Sequence, residues 1–471
     1  MKIKFLYLWM AVAVLSSCAH ALPYQSSQIN PPSFWSRLHS SKDMASKKLE
    51  AMIIPDNNAQ VEQDWWKHFK DPVLDQLIKE SVQNNKTLGI ARARVQEALA
   101  NLAYGNADQM PDISFVGTGS RSNNGLATFY KPLNVSTAEL QASWEIDIFG
   151  RNLPLLAQAK EMAQYADAMQ QGVLVGLLSE LGDDYFDLQN DKLQIKITQE
   201  NLANQQKTLD LIKAQQKGAM ASDFDVERAA AQVSTTESKL PTLRSAYDMT
   251  LNRINVLLGA VPGSRDNEID TSMSMQPLDQ GIIVAAPATV LANRPDVKAA
   301  ERNFASSISN KSYAQKQFFP DISLLSFFGI EGVSKMAPVY PWSIGLTVVQ
   351  PVMDFGRIEA QIHVARAQEH EAFLNYQQTV LEALEDMENA LTGYKNEMVR
   401  NQLLRASVQE NQRATDLAQR QYKSGFIGLL DVLVAQGNLL EAQSALADSD
   451  ATLRKDLVHI YVASGGGWQI E

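Results

Sequence analysis

His363 and His370 stand seven residues apart with no helix breaker between them, and Glu369 and Glu371 lie beside them, so imidazoles and carboxylates meet near one helical face. That is metal-site chemistry in type but not in number. A zinc site needs three or four ligands at tighter spacing, and these residues read better as solvated positions on a helical wall. Met273 and Met275 in "TSMSMQ" suit a soft metal and equally suit loop filling. Gly465-Gly466-Gly467 runs into Trp468 rather than into a helix, so it reads as a chain-end turn and not as a phosphate cradle. The chain contains no Gly-x-Ser-x-Gly, no His-Glu-x-x-His and no nucleotide loop. Neither an enzyme nor a resident cofactor is expected.

Cys18 is the one cysteine, so no internal disulfide is available and stability must come from packing. Lys2 and Lys4 precede the apolar run Phe5 to Leu15, which is too short for a bilayer span of about 20 residues and reads as a signal peptide over residues 1–17. The run ends in Leu15-Ser16-Ser17-Cys18, which resembles a bacterial lipobox, whose cysteine carries diacylglycerol and an N-acyl chain such as palmitate. The alternative is an idle thiol in an ordinary signal sequence. By the same resemblance, Ala19 after the cysteine favours the outer membrane over retention in the inner one.

With a net charge of −11 and no basic stripe, nucleic acid is not an expected partner. A hydrophobic content of 45% is ample for a core. No stretch after the signal region reaches 18 apolar residues, so a membrane crossing requires β-strands.

The positioning elements emerge from a repeat. "PDIS" occurs at Pro111 to Ser114 and again at Pro320 to Ser323, 209 residues on, and "IFGR" at Ile148 to Arg151 is answered by "DFGR" at Asp354 to Arg357. Upstream, "NNKTLGIARARVQEA" lines up with "NRPDVKAAERNFASS". The chain reads as a tandem duplication. Residues 64–265 form the first structural repeat and 266–471 the second, behind a leader over 18–63.

Within each repeat, alternation and turn residues predict two strands: Ile113 to Arg121 and Leu133 to Ile146, then Ile322 to Gly332 and Ser343 to Val352. In "VSTAELQASWEI", Ala138, Leu140, Ala142 and Trp144 share one face and Thr137, Glu139, Gln141 and Ser143 the other, which suits lipid outside and water inside. A soluble sandwich strand gives the same pattern in any single case. Four strands cannot close a pore, and lipid forbids an open edge, so the membrane reading requires oligomerisation; three copies supply twelve strands.

Leu174, Leu181, Leu188, Ile195, Leu202 and Leu209 recur every seven residues, a coiled-coil type of seam. No proline lies between Pro154 and Pro241, so Leu155 to Gln216 is expected as one helix, about 90 Å long at 1.5 Å per residue. A thin apolar seam with polar flanks suits a one-layer wall wet on both sides. A cytoplasmic coiled coil explains the heptads as well, but not the lipobox or the strand pairs.

Several stretches together resemble the TolC-like outer membrane factors, in particular their lipoprotein efflux branch: "WWKHFKDPVLDQLIKESVQNNKTL", "WEIDIFGR", "SDFDVERAAAQ", "LPTLRSAYDMTLNRINVLLGAVPG", "NRPDVKAAE", "FFPDISL", "YKSGFIGLLDVLVAQGNLLEAQ" and "SGGGW". The resemblance implies a mixed α and β membrane protein. It is expected as a homotrimer with a 12-stranded outer membrane β-barrel, four strands per chain, continued by a long periplasmic α-helical barrel. It also implies the exit duct of a tripartite pump, with a periplasmic adaptor and an inner membrane transporter as partners and drugs or other small toxic compounds as cargo. A type I protein secretion duct is the alternative within the family; a passive porin and a structural coiled-coil lipoprotein are the other classes. By resemblance the adaptor meets the helix-to-helix turns at Gly218, Gly425 and Gly428, of which Gly218 and Gly425 are expected as left-handed helix caps. Tyr422, Leu430 and Asp431 match a periplasmic gate, while Val434 stands where relatives often carry a second acid. Asp431 as a simple helix cap is the alternative.

Overall fold

A computed structural model describes residues 31–36, 53–56, 59–123, 132–270, 282–334 and 336–469. Cys18, the signal segment, most of the leader, Met273 and Met275 lie outside the described residues. In chain order the elements are β1 (Ile53–Asp56), a 3₁₀ turn (Trp65–Phe69), α1 (Pro72–Asn84), α2 (Lys86–Ala107), β2 (Asp112–Ser122), β3 (Leu133–Glu145) and α3 (Leu153–Lys217). Next come α4 (Asp223–Glu237), α5 (Lys239–Leu257), α6 (Asp266–Asp270), β4 (Ile282–Ala285), α7 (Pro287–Asn293) and α8 (Pro295–Lys316). The chain closes with β5 (Asp321–Val333), β6 (Trp342–Val349), α9 (Arg357–Lys423) and α10 (Leu429–Ala463).

One compact unit comprises Arg92–Ala168 and Lys298–Thr379. Its sheet is antiparallel in the order β2-β3-β5-β6, so each repeat contributes one hairpin. The four expected strands are all present. The last stops at Val349 rather than Val352, because Pro351 has no amide for the ladder and restricts the residue before it. The register puts Ile113 and Phe115, Leu140 and Ala142, Phe328 and Ile330, and Trp342 and Ile344 on one face. Ile113, Phe115, Leu140, Phe328, Trp342 and Ile344 are each more than half exposed. The opposite face carries Ser114, Thr118, Thr137, Glu139, Gln141, Ser323, Ser343 and Thr347. An exposed apolar face backed by a polar one is the pattern of a strand with lipid on one side and water on the other.

The strand-to-helix junctions of this unit are built twice. In the first, the Asp147 carboxylate accepts from the amides of Arg151, Asn152 and Leu153, and so caps α3. In the second, Asp354 accepts from the amides of Gly356 and Ile358 and caps α9. The Ile358 amide contributes most to holding the Asp354 carboxyl below the usual carboxylate range.

The second compact unit comprises Asn30–Ala91, Met169–Val297 and Val380–Glu471. Its core gathers Trp65, Leu74, Leu178, Leu181, Tyr185, Met387, Leu391 and Val458, with Trp65 stacked on Tyr461. Asp71 starts α1 by accepting from the Val73 amide at 3.0 Å and also accepts from the Tyr185 hydroxyl at 2.6 Å. A parallel pair β1–β4 ties the segment before the first repeat to the start of the second, an element that a four-residue run without alternation did not announce. "SGGGW" is more than a chain-end turn. Gly465 takes φ +81 against the Arg294 backbone, and a side chain on Gly466 would fall 2.4 Å from the Glu62 carbonyl oxygen.

The long helices form as the proline spacing predicts: α3 has 65 residues, about 97 Å at 1.5 Å per residue, and α9 has 67. The returning helix of the first repeat is broken at Ser238, because Pro241 removes an amide and crowds the carbonyl one turn back; α10, without proline, runs unbroken. The leucine seam of α3 is only partly what the heptads predict. Leu174, Leu181, Leu188 and Leu209 are buried, but between Leu188 and Leu209 the buried residues are Gln189, Gln194, Thr198, Asn201 and Gln205, and Ile195 and Leu202 are half-exposed. The reason lies on α10, whose facing positions are polar. Gln194 Nε2 donates to the Ser444 carbonyl and to Asp448, Asn201 Nδ2 donates to Gln443, and Gln436 Nε2 donates to Thr208. Amide contacts of this kind fix the register between helices, which apolar packing alone does weakly.

Asp191, just before Gln194 on α3, yields a prediction. Burial first, and then the charges of Asp187 and Asp448, raise its pKa to about 6, against the opposing pull of Thr250 and Arg253. The folded state therefore holds this proton more tightly than the unfolded chain, and folding loses stability as pH rises from the ordinary carboxylate range through about 6. Asp191→Asn should raise the thermal midpoint at pH 7.5, and the gain should vanish below pH 4. Melts of the solubilised protein at the two pH values check both halves; an equal shift at both would mean that charge is not the cause.

Candidate functional site

The residues singled out at the helix turns lie in the second unit, at the ends of two long helices. Leu209 and Ile212 of α3, Ala229 and Val233 of α4, and Leu429 and Leu433 of α10 form a small separate core, with Tyr422 of α9 packed against it. Both turns close in the same way. The Met220 amide donates to the Gln215 carbonyl and the Ala219 amide to Gln216; the Phe426 amide donates to Gln421 and the Gly425 amide to Tyr422. Each pair of bonds is a Schellman motif, which needs one left-handed residue. Gly425 supplies it with φ +75, as expected. In the first turn the expectation fails: Gly218 is not left-handed, and Ala219 takes φ +57. The helix runs one residue further than the glycine suggests, so the strained position falls on alanine.

The following helices are capped alike. Ser222 Oγ accepts from the Asp225 amide, and Asp225 accepts from the Ser222 amide, a complete capping box. At the second turn Asp431 accepts from the Gly428 amide at 3.2 Å, and Gly428 has no side chain to complete the box. Asp431 and Leu430 are exposed, whereas Tyr422 is half-buried and donates its hydroxyl to Gln215 Oε1 at 2.8 Å. Burial, and then the Asp225 charge, push the Tyr422 phenol up. Leu430 and Val434 line, with Arg228, Gln232 and Glu441, a groove of about 750 Å³.

Sequence reasoning missed the apolar residues that these turns present. Met220 is 77% exposed, Phe426 is 82% exposed, and Phe224, under the Arg228 guanidinium, is also exposed. Their signal is positional: Met220 and Phe426 each directly follow the left-handed residue. The two turns thus share their geometry and each presents an exposed apolar side chain, the kind of group that marks an interaction surface where such groups form a patch.

The histidine group does not gather. His363 and His370 are exposed, His363 lies 4.0 Å from Glu359, and Glu369 is held by Lys311. Among the described residues no three His, Cys, Asp or Glu side chains are arranged to hold a metal ion.

Residues 77–260 and 286–466 each match the model of a family described as outer membrane efflux protein, so one model fits both repeats. The pyoverdine export outer membrane protein OpmQ of Pseudomonas putida is 30% identical over 461 residues, which cover 94% of this chain and 93% of that one. Nodulation protein T of Rhizobium leguminosarum bv. trifolii is 28% identical over 412 residues, covering 86% and 88%. Among solved structures, the outer-membrane channel OprN superposes with a TM-score of 0.86 at 27% identity, covering 96% of this chain and all of that one.

Proposed function

The chain belongs to the outer membrane efflux protein family, and from that premise we propose that it is the exit duct of a tripartite pump, passing drugs or other small toxic compounds from the periplasm to the exterior. The observation that carries this reading is the four-stranded sheet with an exposed apolar face, whose two edges are unpaired among the described residues and which, in lipid, further strands must complete. Three copies, each anchored through lipid on Cys18, make the barrel. The long helices form the periplasmic wall. The two turns receive the helices of an adaptor, through which an inner membrane transporter supplies the energy. A relative whose name records pyoverdine export supports small-molecule cargo over protein. Deleting the gene in a strain without a redundant duct, and measuring toxicant accumulation and secreted protein in parallel, tests the choice. Raised accumulation with normal secretion is expected; the reverse would make this a protein secretion duct.

Tyr422, Leu430 and Asp431 are proposed as the gate. Three Asp431 carboxylates facing one another would form an acidic ring; at about 4 Å a pair of unit charges interacts by about 1 kcal/mol in water and roughly 4 near a protein surface. Asp431→Ala should lower cation selectivity in planar bilayers, and Val434→Asp, which adds the missing acid, should deepen block by multivalent cations. If neither substitution alters conductance, selectivity or block in intact trimers, Asp431 is only the partner of the Gly428 amide.

A further inference from the structure

Among the described residues, one of the two strand-to-helix junctions lacks the cross-repeat partner that the other has. At the first junction, Arg151 reaches across to the second repeat, pairing with Asp321 at 3.3 Å and donating to Gln317 Oε1 at 2.9 Å. Phe149 stacks on Phe319 with ring centres 5.6 Å apart. The first repeat's "FGR" thus grips the second repeat's "FPD". The reciprocal residues of the second junction, Phe355 and Arg357, find no such partner among the described residues: Phe355 is 93% exposed and left-handed, and Arg357 is exposed. The matching acceptor is exposed too, at Asp108, Met110 and Asp112.

Two offsets relate the repeats. The first strand of each hairpin maps by 209 residues, Pro111 onto Pro320, and the second by 206, Arg151 onto Arg357. Both hairpins obey them: Asp112 opposes Ser143, and Asp321 opposes Val349. Trp144 Nε1 donates to the Gln109 carbonyl, and its counterpart Gln350 donates to the Phe318 carbonyl. Carrying the β3–β5 pairing through the same offsets places the free edge of β6 against the free edge of β2 in another copy. There Ser143 opposite Leu325 becomes Val349 opposite Val116. That register keeps the two faces of the sheet continuous from copy to copy. It sets Leu346 against Gly119 and Val348 against Gly117, all on the apolar face, whereas a slip of one residue would turn the faces over.

We propose that Arg357 of one copy pairs with Asp112 and Asp108 of the next, with Phe355 seated on the neighbour's Met110 and β6 running against β2 in this register. The partner is a second copy of this chain, and the clamp rests on the trimeric duct proposed above. The copy-to-copy contact sets one cation against two carboxylates, where the internal junction has a carboxylate and an amide. It lacks one bond of the internal junction, because Ala107 stands where Lys316 donates to the Gly150 carbonyl.

The test co-expresses two full-length copies with different tags, one Val116→Cys and the other Val349→Cys. Residues opposed on neighbouring antiparallel strands have Cβ atoms about 5 Å apart, close enough for oxidation to join them. A mixed-tag disulfide is expected from the pair, and none from either copy alone or from Val349→Cys with Thr118→Cys. Arg357→Asp should abolish the detergent-resistant trimer, and Arg357→Asp combined with Asp112→Arg should restore it. Rescue separates loss of the pair from loss of folding. Trimers that form without the 116–349 crosslink, and that tolerate Arg357→Asp, would overturn the clamp and leave the duct standing. A wild-type chain that never trimerises would overturn both.

Discussion

Arg294→Ala is expected to destabilise the second unit by about 2 kcal/mol, because it strands the buried Ala463 carbonyl at the end of α10, whereas the Ala383 carbonyl keeps its partner within α9. The Arg294 guanidinium is almost wholly buried. It donates to the Ala463 carbonyl at 3.1 Å and contacts the Ala383 carbonyl at 3.5 Å, and it pairs with Asp296 and Asp386. Ala463 ends α10, so the cation also sits where the helix dipole favours it. Asp296 and Asp386 are exposed enough to rehydrate when the arginine is lost. The Ala463 carbonyl is not, and it carries most of the cost. Arg294→Lys should recover less than half of the loss, since one ammonium cannot serve carbonyls and carboxylates on opposite sides of a planar fork. Thermal melts of the solubilised protein measure both variants, and a lysine variant as stable as wild type would show that only charge is needed.

Gly425→Arg is expected to abolish export while leaving the trimer intact. The left-handed backbone there costs a non-glycine residue about 1 to 2 kcal/mol, too little to dismantle the long helices. Beyond its chain neighbours, nothing lies within 4 Å of a Cβ placed at this position, so an arginine has room to project from the turn beside the exposed Phe426. The damage therefore falls on whatever docks there. Gly425→Ala supplies the control, because Ala219 already holds the same conformation at the other turn. Export should survive alanine and fail with arginine at equal trimer levels. Loss with both would point to the backbone rather than to docking, and retention with both would remove the turn from the adaptor interface.

Most of the architecture was legible because its signals are periodic or covalent. Alternation bounded by Pro and Gly located all four strands, and proline spacing located the long helices. What stayed hidden depends on partners far away in sequence. The polar middle of the α3 seam is invisible from α3 itself, since Gln194 and Asn201 are buried only because Ser444, Asp448 and Gln443 face them. Ala219 was missed because glycine preference named Gly218, while hydrogen bonding carried the helix one residue on. Arg294 was visible within a recurring motif, but its task is set by carbonyls 89 and 169 residues away. Phe355 and Arg357 were legible as a repeat marker, and only the filled first junction reveals what the second one lacks.

The most direct test of the exit-duct reading is the efflux rate of a preloaded fluorescent amphiphile from energised cells that lack both this chain and any other duct. Restoring the wild-type chain should restore fast efflux. Cells carrying Gly425→Arg, with the same amount of trimer in the outer membrane, should lose dye as slowly as cells with no duct. Efflux at one rate with the wild-type chain, with the variant and with neither would contradict the reading that cargo leaves the periplasm through this protein.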